Sequence, residues 1–364
     1  FGGNKIDESI ITYVKRNYNL VIGQKTAQSM KERLGSGIPG NEDTMIVVGR
    51  DVVSGLPIEM EMSGGVVYEA IKDMKTIGVL EVDEEKKTKK IAIPVGIVAG
   101  LIPSTNPTST AFYKSEISIK AGNAIVFSPH PTALRAIMET VKVIRQAIAE
   151  AGANENLVSC ISIPTMEATS TLMHHRDIAL ILATGGSAMV KAAYSSGTPA
   201  IGVGPGNGPA YLEKTCDLPL AVKRIMDSET FDNGTICASE QSIICDEDMA
   251  EAVQAEMERQ GAYFLDEQER EQLGRFILRA NGTMNPEIVG KSVKTIASLA
   301  HLDKVPADAR VLVAKETGVG RGHPYSNEKL GPIMGFYTGK DYIDVCEKVC
   351  TILYYEGAGH TFSM

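Results

Sequence analysis

The stretch "NAIVFSPHPTALRAIMETVKVIRQAIAEAGANENLVSCISI", residues 123–163, decides the fold. It opens on a short β-branched run, NAIVFS (123–128), and closes on a second, LVSCISI (157–163). Between them Leu134, Ile137, Val141, Ile144 and Ile148 recur at helical spacing and share one face. Pro131 suits the first turn of that helix and Gly152 its end. A strand, a single helix and another strand of this kind predict a βαβ unit in a parallel sheet buried on both faces.

The same rhythm continues through IALILAT (178–184) and PAIGVG (199–204). Parallel sheets take their ligands at the carboxyl ends of the strands. The candidate ligand loops are therefore SPHP (128–131), TGGS (184–187) and GVGPGNG (202–208). None completes GxGxxG, so dinucleotide binding cannot rest on that motif. Thr184-Gly185-Gly186-Ser187 follows a buried strand and opens a helix. Its backbone N–H groups suit a pyrophosphate, or the glycine pair is only a tight turn.

Composition narrows the classes. The chain has 364 residues, 43% hydrophobic and 22% charged, with a formal net charge of −9. That length allows two or three domains with proper cores, and the negative charge argues against a nucleic-acid footprint. No apolar run reaches the ~18–20 residues of a membrane span. The longest, IAIPVGIVAGLIP (91–103), is broken by two prolines and two glycines and reads as buried strand and turn. No signal-peptide pattern opens the chain, and there is no initiator methionine, so an internal fragment is expected. The six cysteines include no zinc-like CxxC pair, and no metal site is expected. Five of them, all but Cys237, read as reduced structural thiols of a cytoplasmic protein.

Cys237 stands apart, in a Gly-bearing loop between a helical stretch (218–229) and the strand QSIIC (241–245). Rigidly held loops are where catalytic groups gather; a small buried residue at a strand entrance is the competing reading. A second polar loop lies in LIPSTNPTST (101–110). There Asn106 precedes Pro107, which would start a helix. Its amide can donate to an oxyanion or simply cap the helix.

The first 66 residues are richer in charge. They offer a helix in DESIITYVKRNYNLVI (7–22) and a hairpin in TMIVVGRDVVSGLPIEMEMS (44–63) around Ser54-Gly55. Residues 67–96 then lead through a charged loop into the sheet. The composition shift marks a candidate boundary near residue 66.

From about Val67 to His360 the chain resembles the aldehyde dehydrogenase superfamily, in its CoA-acylating branch. The stretches that carry this are IPSTNPTSTAFYKS, NAIVFSPHP, ILATGGSAMVKAAYSSGTPAIGVGPGN, TFDNGTICASEQS, HPYSNEKLGP and GHT, in the family's order. The resemblance implies an α/β, aldehyde-dehydrogenase-like fold. A Rossmann-like parallel NAD-binding sheet (67–212, N-terminally incomplete) would be followed by an α/β catalytic domain (213–364, truncated at its C-terminus). It implies Cys237 as nucleophile, with Asn106 and the Cys237 backbone N–H as oxyanion hole. Ser128, Pro129 and His130 would line the adenosine end of NAD. Thr184, Gly185 and Gly186 would hold the pyrophosphate and Glu328 the nicotinamide ribose. His360 matches a histidine with an implied role in proton handling, and His130 in place of a lysine points to NAD over NADP. Gly202 stands where hydrolytic members carry the glutamate that activates water, so CoA is the implied acyl acceptor. The resemblance further implies a homo-oligomer in the full-length family and a place in the cytoplasm or a bacterial microcompartment.

Residues 1–66, by FGGNKIDESIITYVKRNYNLVIGQKTAQSMKERLGS and VVGRDVVSGLP, resemble an internal slice of the bacterial actin homologue MreB. Lys31 sits where that family approaches adenine, but its phosphate loops lie outside the slice, so ATP hydrolysis and filaments are not expected. The switch falls at VVYEAIKD (66–73), and a join of two gene fragments is the expected origin. The leading expectation is oxidation of a short-chain aldehyde with NAD and CoA. Set against it are an MreB-like cell-shape fragment and a catalytically dead chimera.

Overall fold

Asn19 takes a left-handed backbone conformation (φ 52°) and ends the first helix, so α1 (Gly3–Tyr18) stops four residues short of the expected Ile22. Leu20–Val21 instead forms β1 and pairs antiparallel with the next strand. The structure, a computed structural model, describes residues 3–35, 41–71, 77–279, 282–357 and 360–364. It divides into two units, 1–94 and 95–364.

In the first unit α2 (Gln24–Leu34) is followed by β2 (Thr44–Asp51) and β3 (Pro57–Ser63), which pair as the expected hairpin from Thr44↔Ser63 to Arg50↔Pro57. The Asp51 carboxylate accepts from the Ser54 and Val53 backbone N–H groups, and Gly55 supplies the positive φ that closes the turn. Ile10, Val14, Leu20, Met30, Leu34, Val47 and Met62 form a core of their own, joined by Val66 and Val67 from α3 (Gly64–Ile71). The composition shift near residue 66 thus falls inside a helix. Residues expected to be a charged loop form a second hairpin, β4 (Gly78–Asp83) with β5 (Thr88–Ala92). Val79 opposes Ile91 and Glu81 opposes Lys90 across it, pairings that favour strands where charge density alone suggests a loop.

The second unit begins with a five-stranded parallel sheet. Its elements are β6 (Ile97–Ile102), α4 (Pro107–Lys120), β7 (Ala124–Pro129), α5 (Leu134–Glu150), β8 (Val158–Cys160), α6 (Met166–Met173), β9 (Ile178–Thr184), α7 (Ser187–Tyr194) and β10 (Ala200–Val203). The order is β10-β9-β6-β7-β8, so the expected βαβ unit is present as β7-α5-β8. The last strand is shorter than LVSCISI suggests. Ile161 N donates the final bond, to Phe127 O, and Ile163, just before Pro164, is exposed. Of the expected helical face, Ile137, Val141, Ile144 and Ile148 pack on Val98, Ile125, Phe127 and Val158, while Leu134 is only half-buried and lies outside that core.

Topology places the ligand crevice. From β6 the chain winds to β7 and β8 on one side, then returns to β9 and β10 on the other. The strand order therefore reverses beside β6, and a crevice opens outside its carboxyl end. The loops after β6, β7 and β9 converge there, because Leu101 is in register with Ala183 and Ile102 with Pro129.

Residues 204–207 connect β10 to a second parallel sheet, ordered β11-β12-β15-β14-β13. In chain order its elements are β11 (Gly208–Leu212), α8 (Leu218–Thr230), β12 (Glu240–Asp246), α9 (Ala250–Arg259), β13 (Ala262–Phe264), α10 (Glu267–Ile277), α11 (Val293–Leu299), β14 (Val311–Lys315), β15 (Ile333–Gly339) and α12 (Tyr342–Tyr355). Alternation along β14 sends Val311 and Val313 to the core with Met257 and Met334, and Leu312 and Ala314 to the core with Ile277 and Tyr325. Both faces are covered, which is why these strands read as continuous apolar runs. Among the described residues no helix is long and apolar enough to cross a membrane, and no His, Cys, Asp and Glu cluster could hold a metal.

Candidate active site

Cys237 owes its place to a sharp local turn. After α8, Asp232, Asn233 and Gly234 all take positive φ (49°, 52° and 67°), reversing the chain into Thr235–Ser239. Asn and Gly tolerate that conformation at least cost. Asn233 Nδ2 donates to Gly290 O, and Ser239 N to Ile236 O, which fixes the loop at both ends.

The half-buried thiol opens on a cavity of about 470 Å³ at the reversal point. Of the expected residues, Ser128, Pro129, His130, Thr184, Gly185, Gly186, Cys237 and Glu328 all line it. Gly186 is the N-cap of α7, and no side chain caps that helix end. Gly186 itself lines the cavity, with open space in its Cβ direction, so this helix end adjoins the cavity. The buried Ser128 hydroxyl is already bonded to Thr169 Oγ1 at 2.7 Å. His130 bonds Thr132 Oγ1 through Nδ1, and desolvation pushes its pKa down.

Asn106, Gly202 and His360 do not line this cavity. Asn106 is the N-cap residue of α4 but makes no side-chain capping bond. Its Oδ1 accepts from Thr105 Oγ1, and Nδ2 has no hydrogen-bond partner among the described residues. The capping alternative is therefore not realised, and the amide remains able to donate beside the lining residues Ser104 and Thr105. Gly202 lies beneath α7: a Cβ there would fall 2.6 Å from Val190 Cγ1, and its N–H donates to the Tyr194 hydroxyl. Within the 202–208 loop it is Gly204 that lines the cavity, with open space at its Cβ direction. Neither position carries a carboxylate. The His360 ring packs against Gly206 beside Cys237, and its Nε2 is buried without a hydrogen-bond partner among the described residues.

Electrostatics disfavour a resting thiolate. Burial, and then the Glu328 carboxylate, push the Cys237 thiol up. Burial likewise raises Glu328 to about 7, against the stabilising Gly206 N–H that donates to its Oε1 at 2.7 Å. Glu356 Oε2 accepts from the Glu328 N–H and from Asn327 Nδ2.

Two buried lysines escaped the sequence reading. Lys114 on α4 is 4% exposed and donates from Nζ to Leu101 O and Leu182 O, both at 2.8 Å, tying β6 to β9 at the crevice. Desolvation pulls it down to about 7. Lys329 is 1% exposed beside Glu328. Nothing in their local sequence separates them from surface lysines. Pro164, Thr165, Met166, Met189, Met284 and Leu330 also line the cavity, drawn from loops that only the tertiary fold assembles.

The family model described as aldehyde dehydrogenase family matches residues 60–274, and that of the MreB/Mbl protein matches residues 1–87. The chain is 44% identical over 313 residues to the bifunctional aldehyde–alcohol dehydrogenase AdhE of Escherichia coli (strain K12), covering 86% of this chain and 35% of that protein. It thus spans about a third of that relative's length. The crystal structure of a probable aldehyde dehydrogenase from Listeria monocytogenes EGD-e is 54% identical with a TM-score of 0.77, covering all of this chain and 76% of that one. That of an acetylating aldehyde dehydrogenase from Geobacillus thermoglucosidasius is 44% identical with a TM-score of 0.76, covering 99% and 75%.

Proposed function

This chain belongs to the aldehyde dehydrogenase family, and from that premise we propose that it converts a short-chain aldehyde, of the acetaldehyde or propionaldehyde type, into acyl-CoA through a thioester on Cys237. The observation that carries the reading is one cavity lined by Cys237, Glu328 and the uncapped N-terminus of α7.

NAD, when bound, supplies the hydride acceptor. The α7 N-terminus, with Thr184, Gly185 and Gly186, would hold its pyrophosphate, Ser128, Pro129 and His130 its adenosine end, and Glu328 the nicotinamide ribose. Cys237 loses its thiol proton and adds to the aldehyde carbon. Asn106 Nδ2 and the Cys237 N–H donate to the oxygen that becomes anionic. Oxidation leaves the acyl group on Cys237 Sγ. With no carboxylate at Gly202 or Gly204 to activate water, hydrolysis is slowed by about 10²–10⁴-fold, and the CoA thiol takes the acyl group. His360, whose free Nε2 lies by the Cys237 loop, would accept the CoA thiol proton.

Within the same reading, residues 67–212 form the NAD-binding part and 213–364 the catalytic part; the change of sheet across 204–207 supports a division of this kind, though it places β11 with the catalytic sheet and residues 67–94 fall in the first unit. Residues 1–66 are an MreB-like piece carried in front; the family match and a separate core support such a piece, and both run past residue 66, the match to residue 87 and the core to Val67. The setting implied is a homo-oligomer of the cytoplasm or of a microcompartment lumen.

The test is NADH formation from acetaldehyde or propionaldehyde with CoA present, and again without it. The expected result is steady turnover with CoA, and about one NADH per chain followed by a slow phase without it. Cys237→Ser should lower turnover by about 10³-fold or more. Full activity in that variant, or equal rates with and without CoA, would overturn the reading.

A further inference from the structure

Lys329 is the other half of the Glu328 arrangement. Its side chain runs inward while that of Glu328 faces the cavity. The ammonium donates to Tyr325 O at 2.8 Å and Asn327 O at 2.7 Å, folding the preceding turn around itself. The Lys329 N–H donates to Gln241 Oε1 at 3.0 Å, on β12. One buried cation thus gathers two carbonyls of the very loop that presents Glu328.

The charges facing it come from every neighbouring element. Glu229 near the end of α8, Glu316 just past β14, Glu328, and Glu356 just past α12 all favour the ammonium, against the burial that draws it down to about 8. Glu316 is itself held by His323 Nδ1 at 2.8 Å and faces Arg270 at 3.7 Å. Glu229 is wholly buried; among the described residues no side chain hydrogen-bonds its carboxyl, and the Ile333 N–H and the Lys329 charge offset the burial only in part. Burial, with Glu240 nearby, holds it well above the usual carboxylate range. A buried ammonium with such incomplete compensation is a costly way to fill a core, which calls for a role beyond packing.

We propose that Lys329 is a positioning residue: by holding the Tyr325 and Asn327 carbonyls, its ammonium fixes the 325–328 loop so that Glu328 faces the cavity to receive the cofactor's ribose hydroxyls. This rests on the reading of Glu328 as the ribose-binding residue. Burial raises Glu328 to about 7; the Gly206 N–H opposes this, Glu356 adds to it, and the Lys329 ammonium opposes it in turn, so the acid constants of Lys329 and Glu328 are linked.

The experiment is NADH affinity, by cofactor fluorescence, against pH from about 6 to about 9, on the full chain. Wild type should bind more tightly as Glu328 ionises near neutrality, a step that Glu328→Gln abolishes. In Lys329→Met the step should move up by about half a unit, weakening binding about twofold at neutral pH with the same high-pH plateau. Lys329→Arg, which keeps the charge, should restore the wild-type step. If Lys329→Met does not fold, the double variant Lys329→Met/Glu229→Gln removes the Glu229 carboxyl as well and is read in the same way. A folded variant with an unmoved step overturns the inference and leaves the functional reading standing. A wild-type chain that binds no NADH overturns the functional reading, and this inference with it. If none of the Lys329 variants folds, Lys329 is a stability residue and the inference falls.

Discussion

Gly206 and Cys237 meet backbone to backbone: the Cys237 carbonyl oxygen occupies the space where a Cβ on Gly206 would stand, with His360 Cγ 3.2 Å from the same point. The Gly206 N–H, on the other side, holds Glu328. One residue without a side chain therefore spaces Cys237, His360 and Glu328. Gly206→Ala should push the Cys237 loop away, costing about 1–3 kcal/mol of stability and about 10²-fold in kcat. Thermal unfolding and NADH-coupled rates check both, and a variant unchanged in each would show that the loop yields freely.

Asn106→Ala separates the oxyanion role from capping. The side chain makes no capping bond, so stability should change by less than about 0.5 kcal/mol. The loss of a donor to the developing oxyanion should instead lower kcat by about 10²–10³-fold. A stability loss without a rate loss would restore the capping assignment.

Glu328→Gln removes the carboxylate that, after burial, raises the Cys237 thiol. The pH midpoint for alkylation of Cys237 by iodoacetamide, followed by mass spectrometry in the absence of cofactor, should move to lower pH. An unmoved midpoint would leave burial as the sole cause.

Lys114 gives the stability curve a readable slope. Its folded pKa of about 7 lies below the usual lysine value of 10.5. Between those values the unfolded chain binds more protons than the native one, so this group adds stability as pH rises, and adds no slope below about 7. Lys114→Met abolishes the rise. Urea unfolding of both proteins should therefore show the difference moving in favour of wild type from neutral to alkaline pH. A constant difference would mean that Lys114 titrates normally.

The architecture was legible because parallel strands buried on both faces leave apolar runs, and α5 between them shows its buried face every three or four residues. Cys237 and Glu328 were legible through motifs, and both line the cavity. Gly202 was placed by motif alone, and motif spacing does not reveal that α7 covers it while Gly204 faces the cavity. Lys114 and Lys329 were invisible for a related reason. A lysine in a polar context reads as solvated until its backbone carbonyl partners, 13 and 68 residues away for Lys114, are brought around it. The end of α1 was missed because it depends on one positive φ at Asn19, and β4–β5 because its charged residues pair across strands.

The short link of residues 204–207 carries a mechanical consequence. It is the covalent bridge from β10 to β11, and it is also the segment whose Gly206 supports Glu328 and abuts Cys237. Any breathing of one sheet against the other must be absorbed by dihedral changes in these few residues, two of them glycines. Opening the cleft to admit or release a ligand would then also shift the thiol's surroundings, so access and reactivity share a single hinge.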